Sequence, residues 1–341
     1  MFQTRSTLAA CLGGAMSLAS ATVALAAEIN IYTSREPGLV LPLLDAFTAQ
    51  SGVKVNTVFL KDGLAERVEA EGASSPADIL MAVDAGNLAD LAERGLTQPI
   101  DSELVLAAVP ADLRDPQNQW IGLSMRARVV YAAKDLDLTE ITYEQLGDPK
   151  WQGKICIRSG QHPYNTGLFA AYLAHHGPEA TETWLAGLKA NLARKPGGGD
   201  RDGAKDILGG ICDLAVANSY YVGLMQANEK EPEQKAWAEA IKVLLPTFEG
   251  GGTHVNISGA AIAKHAPNKA EAQELLEFLV SDEAQRIYAE ANFEYPVKPG
   301  IAAAPAIAAF GPLKVDPIPL TEVVKDRKEA SMLAEKVGLG N

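Results

Sequence analysis

The sequence predicts an α/β protein of two lobes facing a hinged cleft, and three observations predict it. Short β-rich runs alternate with helical ones. The apolar-basic stretch from Trp120 to Ala133 reads as the chain crossing into a second lobe, and Gly250 to Ala263 reads as its return. At 341 residues the chain is long enough for two cores.

In chain order, residues 1–26 combine Arg5, an apolar stretch rich in Ala, Leu and Val, and Ala24-Leu25-Ala26, the small-x-small pattern of a cleaved signal peptide. That stretch is short and broken by Gly, Ser and Thr, unlike a membrane span. Leu8-Ala9-Ala10-Cys11 resembles a lipoprotein box, but it follows Arg5 too closely to leave an apolar core ahead of the cysteine. The formal charge is −13, and removing the leader takes one arginine and no acid, making the remainder one unit more negative. Such a surface repels nucleic acid and anionic lipid.

The first lobe is expected over residues 27–126 and 256–312. Glu28 to Tyr32 alternates as a strand, a loop to Gly38 leads into a helix over Leu39 to Ala49, and Val53 to Leu60 is the next strand. A helix from Gly63 to Glu71, a buried strand from Ala77 to Val83 and a helix from Ala85 to Arg94 repeat the pattern. The second lobe, residues 127–255, has strands near Lys154 to Ile157, Ile211 to Ala217 and Ile241 to Pro246. Its helices lie near Thr166 to His175, Pro178 to Ala193, Ala204 to Leu208 and Glu231 to Glu239. Helices over Lys269 to Val280 and Asp282 to Ala291 suit the first lobe, and a tail, residues 313–341, packs on the surface with a helix near Thr321 to Val337.

Beyond the leader, Cys156 and Cys212 each lie eight residues before a tyrosine, Tyr164 and Tyr220. They are either a disulfide that ties two strand exits together or two buried thiols. Two isolated cysteines are too few for a thiolate metal site. Pro196-Gly-Gly-Gly-Asp-Arg201 lacks the Gly-Lys-Ser/Thr ending of a phosphate loop, and neither Gly-x-Ser-x-Gly nor His-Glu-x-x-His occurs.

Of nine tyrosines, Tyr131, Tyr143, Tyr172, Tyr288 and Tyr295 read as core or rim residues. Tyr32, Tyr164 and Tyr220-Tyr221 fall at strand or loop exits, the places that line the crevice of an open α/β sheet. Neighbours on a regular strand face opposite ways, so Tyr220 and Tyr221 converge only if the backbone leaves the ladder at Asn218-Ser219, a pair that tolerates turns. Clustered phenolates suit a hard, highly charged ion such as ferric iron, whose own charge lets a phenol ionise near neutrality.

Several stretches then resemble the periplasmic ferric-iron-binding proteins of ABC-type importers: Ile31-Tyr-Thr-Ser-Arg35, Ser75-Pro-Ala-Asp-Ile79, Arg126-Ala-Arg-Val-Val-Tyr131, Asp148-Pro-Lys-Trp-Gln-Gly153, Asn218-Ser-Tyr-Tyr221 and Gly252-Thr-His-Val-Asn-Ile-Ser-Gly259. The resemblance spans nearly the whole chain after the leader. It implies a type II periplasmic binding protein, a Venus flytrap whose lobes are joined by two crossing segments. It further implies a monomer that is not an enzyme and that delivers ferric iron to an inner-membrane permease with its ATPase. By resemblance Tyr32, Tyr164, Tyr220 and Tyr221 are the metal ligands, closure bringing Tyr32 to the other three. Four phenolates around a trivalent ion leave one negative charge for Arg126 or Arg128 to offset, and the resemblance points to Arg126. Some members carry a histidine or a further tyrosine where this chain has Arg35-Glu36-Pro37, so the remaining position falls to Glu36, Asp84, water or a carbonate-like anion. Two other readings are a carrier of the same architecture for a small organic ligand and a secreted enzyme using a tyrosine as acid or base.

Overall fold

The computed structural model describes residues 1–2 and 27–340, so the leader and cleavage motif within residues 3–26 lie outside the described residues. The strands are β1 (Glu28–Thr33), β2 (Lys54–Phe59), β3 (Ile79–Ala82), β4 (Thr97–Gln98), β5 (Ile121–Ala133), β6 (Ile155–Cys156), β7 (Leu214–Asn218), β8 (Ile241–Leu244), β9 (Val255–Ala263) and β10 (Tyr295–Pro296). β1 lies between β2 and β3, parallel to both. Helices cover its faces, and Ile29 and Ile31 are fully buried, as a parallel strand requires.

β5 explains how two lobes form from one path of strands. From Ile121 to Ala127 it runs antiparallel to β9, which in turn pairs with β3. From Arg128 to Ala132 it pairs instead with β7, and from Val130 to Ala133 it also pairs with β8. One long strand therefore serves both sheets, and the chain changes lobe between Ala127 and Arg128. β9 starts at Val255 and carries the return.

Around the first sheet pack α1 (Pro37–Ser51), α2 (Leu64–Glu71), α3 (Ala85–Glu93) and α4 (Glu103–Ala108). The second lobe carries α5 (Pro163–Ala190), α6 (Asp200–Leu208), α7 (Tyr221–Gln226) and α8 (Glu233–Glu239). The two helices expected over residues 166–193 form the single run α5, broken at Gly177, whose φ of 78° is open to glycine. Pro178 follows, and it disfavours a helical conformation in the residue before it.

After α9 (Lys269–Leu279) and α10 (Asp282–Asn292) the chain crosses a third time. Val297 is in the first lobe's core, whereas Ala304 and, from α11 (Pro305–Ala308), Ile307 are buried with Ala127, Tyr131 and Ala204 in the second lobe's. Placing everything up to residue 312 in the first lobe overlooks this short helix. The tail holds α12 (Leu320–Lys325) and α13 (Arg327–Lys336). It is more than a surface layer: Leu320 joins the first core, and Val323, Ala330, Ala334 and Leu339 join the second. Among the described residues no helix is long and apolar enough to cross a membrane.

Candidate metal-binding cleft

The second lobe's wall begins with β7. Its last ladder residue is Asn218, opposite Arg128. Ser219 then donates its backbone N–H to the Ala127 carbonyl and accepts the Ala127 N–H on its hydroxyl, which closes the strand. Tyr220 takes helical angles and α7 begins at Tyr221. The backbone thus leaves the ladder before the tyrosine pair, and the two rings lie side by side with centroids 4.1 Å apart. Tyr164 comes from the first turn of α5, where His162 caps the helix by accepting the Tyr164 N–H at 3.2 Å. The Tyr164 and Tyr220 hydroxyls are 3.5 Å apart. The three tyrosines line a cavity of about 620 Å³ whose opposite wall includes Arg35, Glu36 and Val83 of the first lobe.

Beneath this wall Cys156 and Cys212 are joined as a disulfide, with a Cα separation of 6.0 Å. The bond ties β6 to the segment entering β7, so the chain stretches leading to Tyr164 and to Tyr220 share one anchor.

Burial pushes the Tyr220 pKa well up, the neighbouring Tyr164 and Tyr221 add to the rise, and Arg35 and Arg126 oppose it. Tyr221 is raised chiefly by burial as well. With no cation the pair is neutral; a metal ion reverses the balance by favouring the phenolates. Guanidinium groups surround the site: Arg126, Arg128 and Arg158 lie 5.3, 5.9 and 5.1 Å from the Tyr164 ring centroid. Arg128 is committed through both Nη atoms, to Asp200 at 2.6 Å, Asn165 at 2.6 Å and Asn218 at 3.0 Å, and only its Nε lacks a partner. Arg158 shares the same Asp200. Arg35 pairs with buried Glu294 at 2.5 Å and donates to Ser258 at 3.0 Å. Arg126 differs: it is 1% exposed, its one hydrogen bond goes to Ser258, and its Nε and Nη2 have no partner. A buried cation with free donors and no carboxylate is a seat for an anion.

Tyr32 is not brought to this trio. It lies within the β1 ladder, opposite Val58 and Leu80, and its hydroxyl donates to the Glu71 carboxylate at 3.0 and 3.1 Å, with Arg67 over its ring. The pleat fixes that direction, away from the cleft. Asp84 is likewise occupied: it caps α3 through the Gly86 N–H, accepts from Asn256 and pairs with Arg327. Glu36 does line the cavity. Among the described residues no three His, Cys, Asp or Glu side chains gather as a metal site. Sequence reasoning missed the paired roles of Arg35 with Glu294 and of Arg128 and Arg158 with Asp200. Each pair joins residues far apart in the chain, and no local pattern marks them.

Residues 74–310 match the family model described as bacterial extracellular solute-binding protein. The chain belongs to that family. This solute-binding protein is 41% identical over 314 residues to Iron uptake protein A1 of Synechocystis sp., covering 91% of this chain and 87% of the relative. The structure of the Bordetella ferric binding protein superposes with a TM-score of 0.87 at 60% identity, over 92% of this chain and all of that one (100%). A Trichodesmium FutA structure in complex with iron and citrate gives 0.86 at 42% identity, over 91% of this chain and 99% of that one. The architecture of the solute-binding protein is the two-lobed, type II periplasmic binding fold that the sequence resemblance implies.

Proposed function

We propose that this solute-binding protein captures ferric iron in the periplasm through Tyr164, Tyr220 and Tyr221 and delivers it to an inner-membrane permease driven by an ATPase. The observation that carries the reading is the convergence of three phenols from one lobe in a single cavity. Relatives named for iron uptake and ferric binding support it.

Three phenolates neutralise a trivalent ion, so Arg126 is not needed to offset a fourth. Its free donors suit a small oxyanion such as carbonate or a carboxylate, bound beside the metal and completing its coordination. Because all three phenols belong to the second lobe, iron binds there before closure. Closure then brings up Arg35 and Glu36 and excludes water. Each phenol gives up a proton as it ligates, so affinity falls with falling pH.

The test is a titration with ferric iron supplied as a weak chelate, followed in the visible spectrum. A phenolate-to-iron charge-transfer band that vanishes in the Tyr220→Phe/Tyr221→Phe variant establishes the reading. No band in the wild type replaces iron with a small organic ligand as the cargo.

A further inference from the structure

The carboxylate of Asp84 joins three parts of the molecule. Its Oδ1 accepts the Gly86 N–H of its own helix at 2.8 Å and meets Arg327 Nη1 at 2.7 Å. Its Oδ2 accepts from Asn256 Nδ2 at 2.8 Å, and Asn256 Oδ1 accepts the Ala85 N–H at 3.0 Å. Asn256 is on the returning strand β9, directly opposite Arg126 on β5. The residue before Asp84 is Val83, in the cleft wall that faces the tyrosines.

Arg327 comes from the other side. It opens α13, which is fixed to the second lobe: Ser331 and Gln161 exchange hydrogen bonds, the Gly160 N–H donates to the Leu339 carbonyl at 2.9 Å, and Ala330 and Ala334 are buried in that lobe's core. The contact with the first lobe is built for this side chain. A Cβ on Gly86 would fall on the Arg327 guanidinium, so glycine at that helical position makes room for it. Around the pair a gap of about 550 Å³ separates Asp90 and Glu93 on α3 from Lys325 and Lys328 on the tail, opposite charges on opposite lobes.

We infer that Arg327 is a positioning residue: through Asp84 it sets how closely the first-lobe wall stands against the tyrosine trio, and so how long bound iron is held. The tail is then a strap between lobes, with α13 seated on the second and Leu320 and the Arg327 side chain reaching the first. The effect on iron rests on the reading of the cleft given above; the effect on lobe spacing does not.

The experiment uses Arg327→Gln, with Asp84→Asn as a second variant that keeps a capping oxygen on α3 while removing the charge. Small-angle scattering of the iron-free proteins reads lobe spacing. Transfer of iron to an excess of a strong chelator, followed by the loss of the visible band, reads release. Both variants are expected to show a larger radius of gyration and release faster by about tenfold, with the band itself unchanged in position and intensity. An unchanged radius and release rate in two folded variants overturns the inference, as does an altered band, which would place Arg327 in the ligand set. If wild type shows no band at all, the iron reading fails while scattering still decides the strap.

Discussion

Each lobe carries a tyrosine near the end of a strand beside the cleft, Tyr32 after Ile31 and Tyr220 after Ser219, and the two strands end differently. On the first wall Tyr32 is still inside a ladder with partners on both sides, so its side chain obeys the pleat and is taken up by Glu71. On the second wall Tyr220 and Tyr221 come after the last ladder residue, Asn218, where the Ser219 hydroxyl accepts the Ala127 N–H and the backbone turns into a helix. A tyrosine one residue inside a strand packs; a tyrosine two residues beyond it reaches the cavity. The second wall accordingly presents phenols to the cavity and the first presents Arg35 and Glu36.

The largest effect expected from that contrast is on the second wall. Tyr220→Phe/Tyr221→Phe should weaken ferric affinity by more than about a hundredfold while leaving the fold intact, as competition with a calibrated chelator and circular dichroism would measure. Next comes the anchor beneath it. Replacing Cys156 and Cys212 by serine opens a link with a sequence separation of 56. The expected loss in denaturant unfolding is about 2–4 kcal/mol. Arg126→Gln should lower affinity about tenfold, and only when carbonate or a carboxylate is present; the same loss in anion-free buffer would deny it the anion role.

The sharpest check on the first wall is Tyr32→Phe. It removes one hydrogen bond to a partly exposed carboxylate, so stability should fall by about 1 kcal/mol and the iron spectrum should not move. A changed spectrum would restore Tyr32 as a ligand and break the contrast between the walls.

A separate, pH-dependent effect comes from buried His254. Burial lowers the His254 pKa to about 4; Arg128 and Arg126 act in the same direction, and Asp316 and Asp84 oppose it. An unfolded histidine takes its proton near pH ~6.5, so the contribution of neutral His254 is complete above that value. It is lost as pH falls toward about 4, where the folded form also protonates. The thermal midpoint should decline across that window, and His254→Gln should flatten the decline.

Much of this molecule was legible in its residues. Alternation found β1 and the repeated strand-helix pattern β2 and β3; the apolar-basic run at Trp120 to Ala133 marked β5 as the crossing; and the turn-tolerant Asn218-Ser219 foretold the release of the tyrosine pair. The short helix α11 was not legible, because four residues give no periodicity and its lobe is decided by what Ile307 meets. Nor was the choice between Arg126 and Arg128, two residues apart on one strand. Arg128 is neutralised by Asp200, and Arg126 has no acid to meet.

The sequence by itself determined the alternation of strands and helices and the two-lobed α/β class, because periodicity and turn chemistry are local properties of the chain. Only the tertiary structure decided which tyrosines share a cavity, which arginine is left unpaired, that Cys156 meets Cys212, and that the tail spans both lobes. Those outcomes depend on where side chains from distant segments run out of partners, and a buried charge or phenol is defined by that remainder.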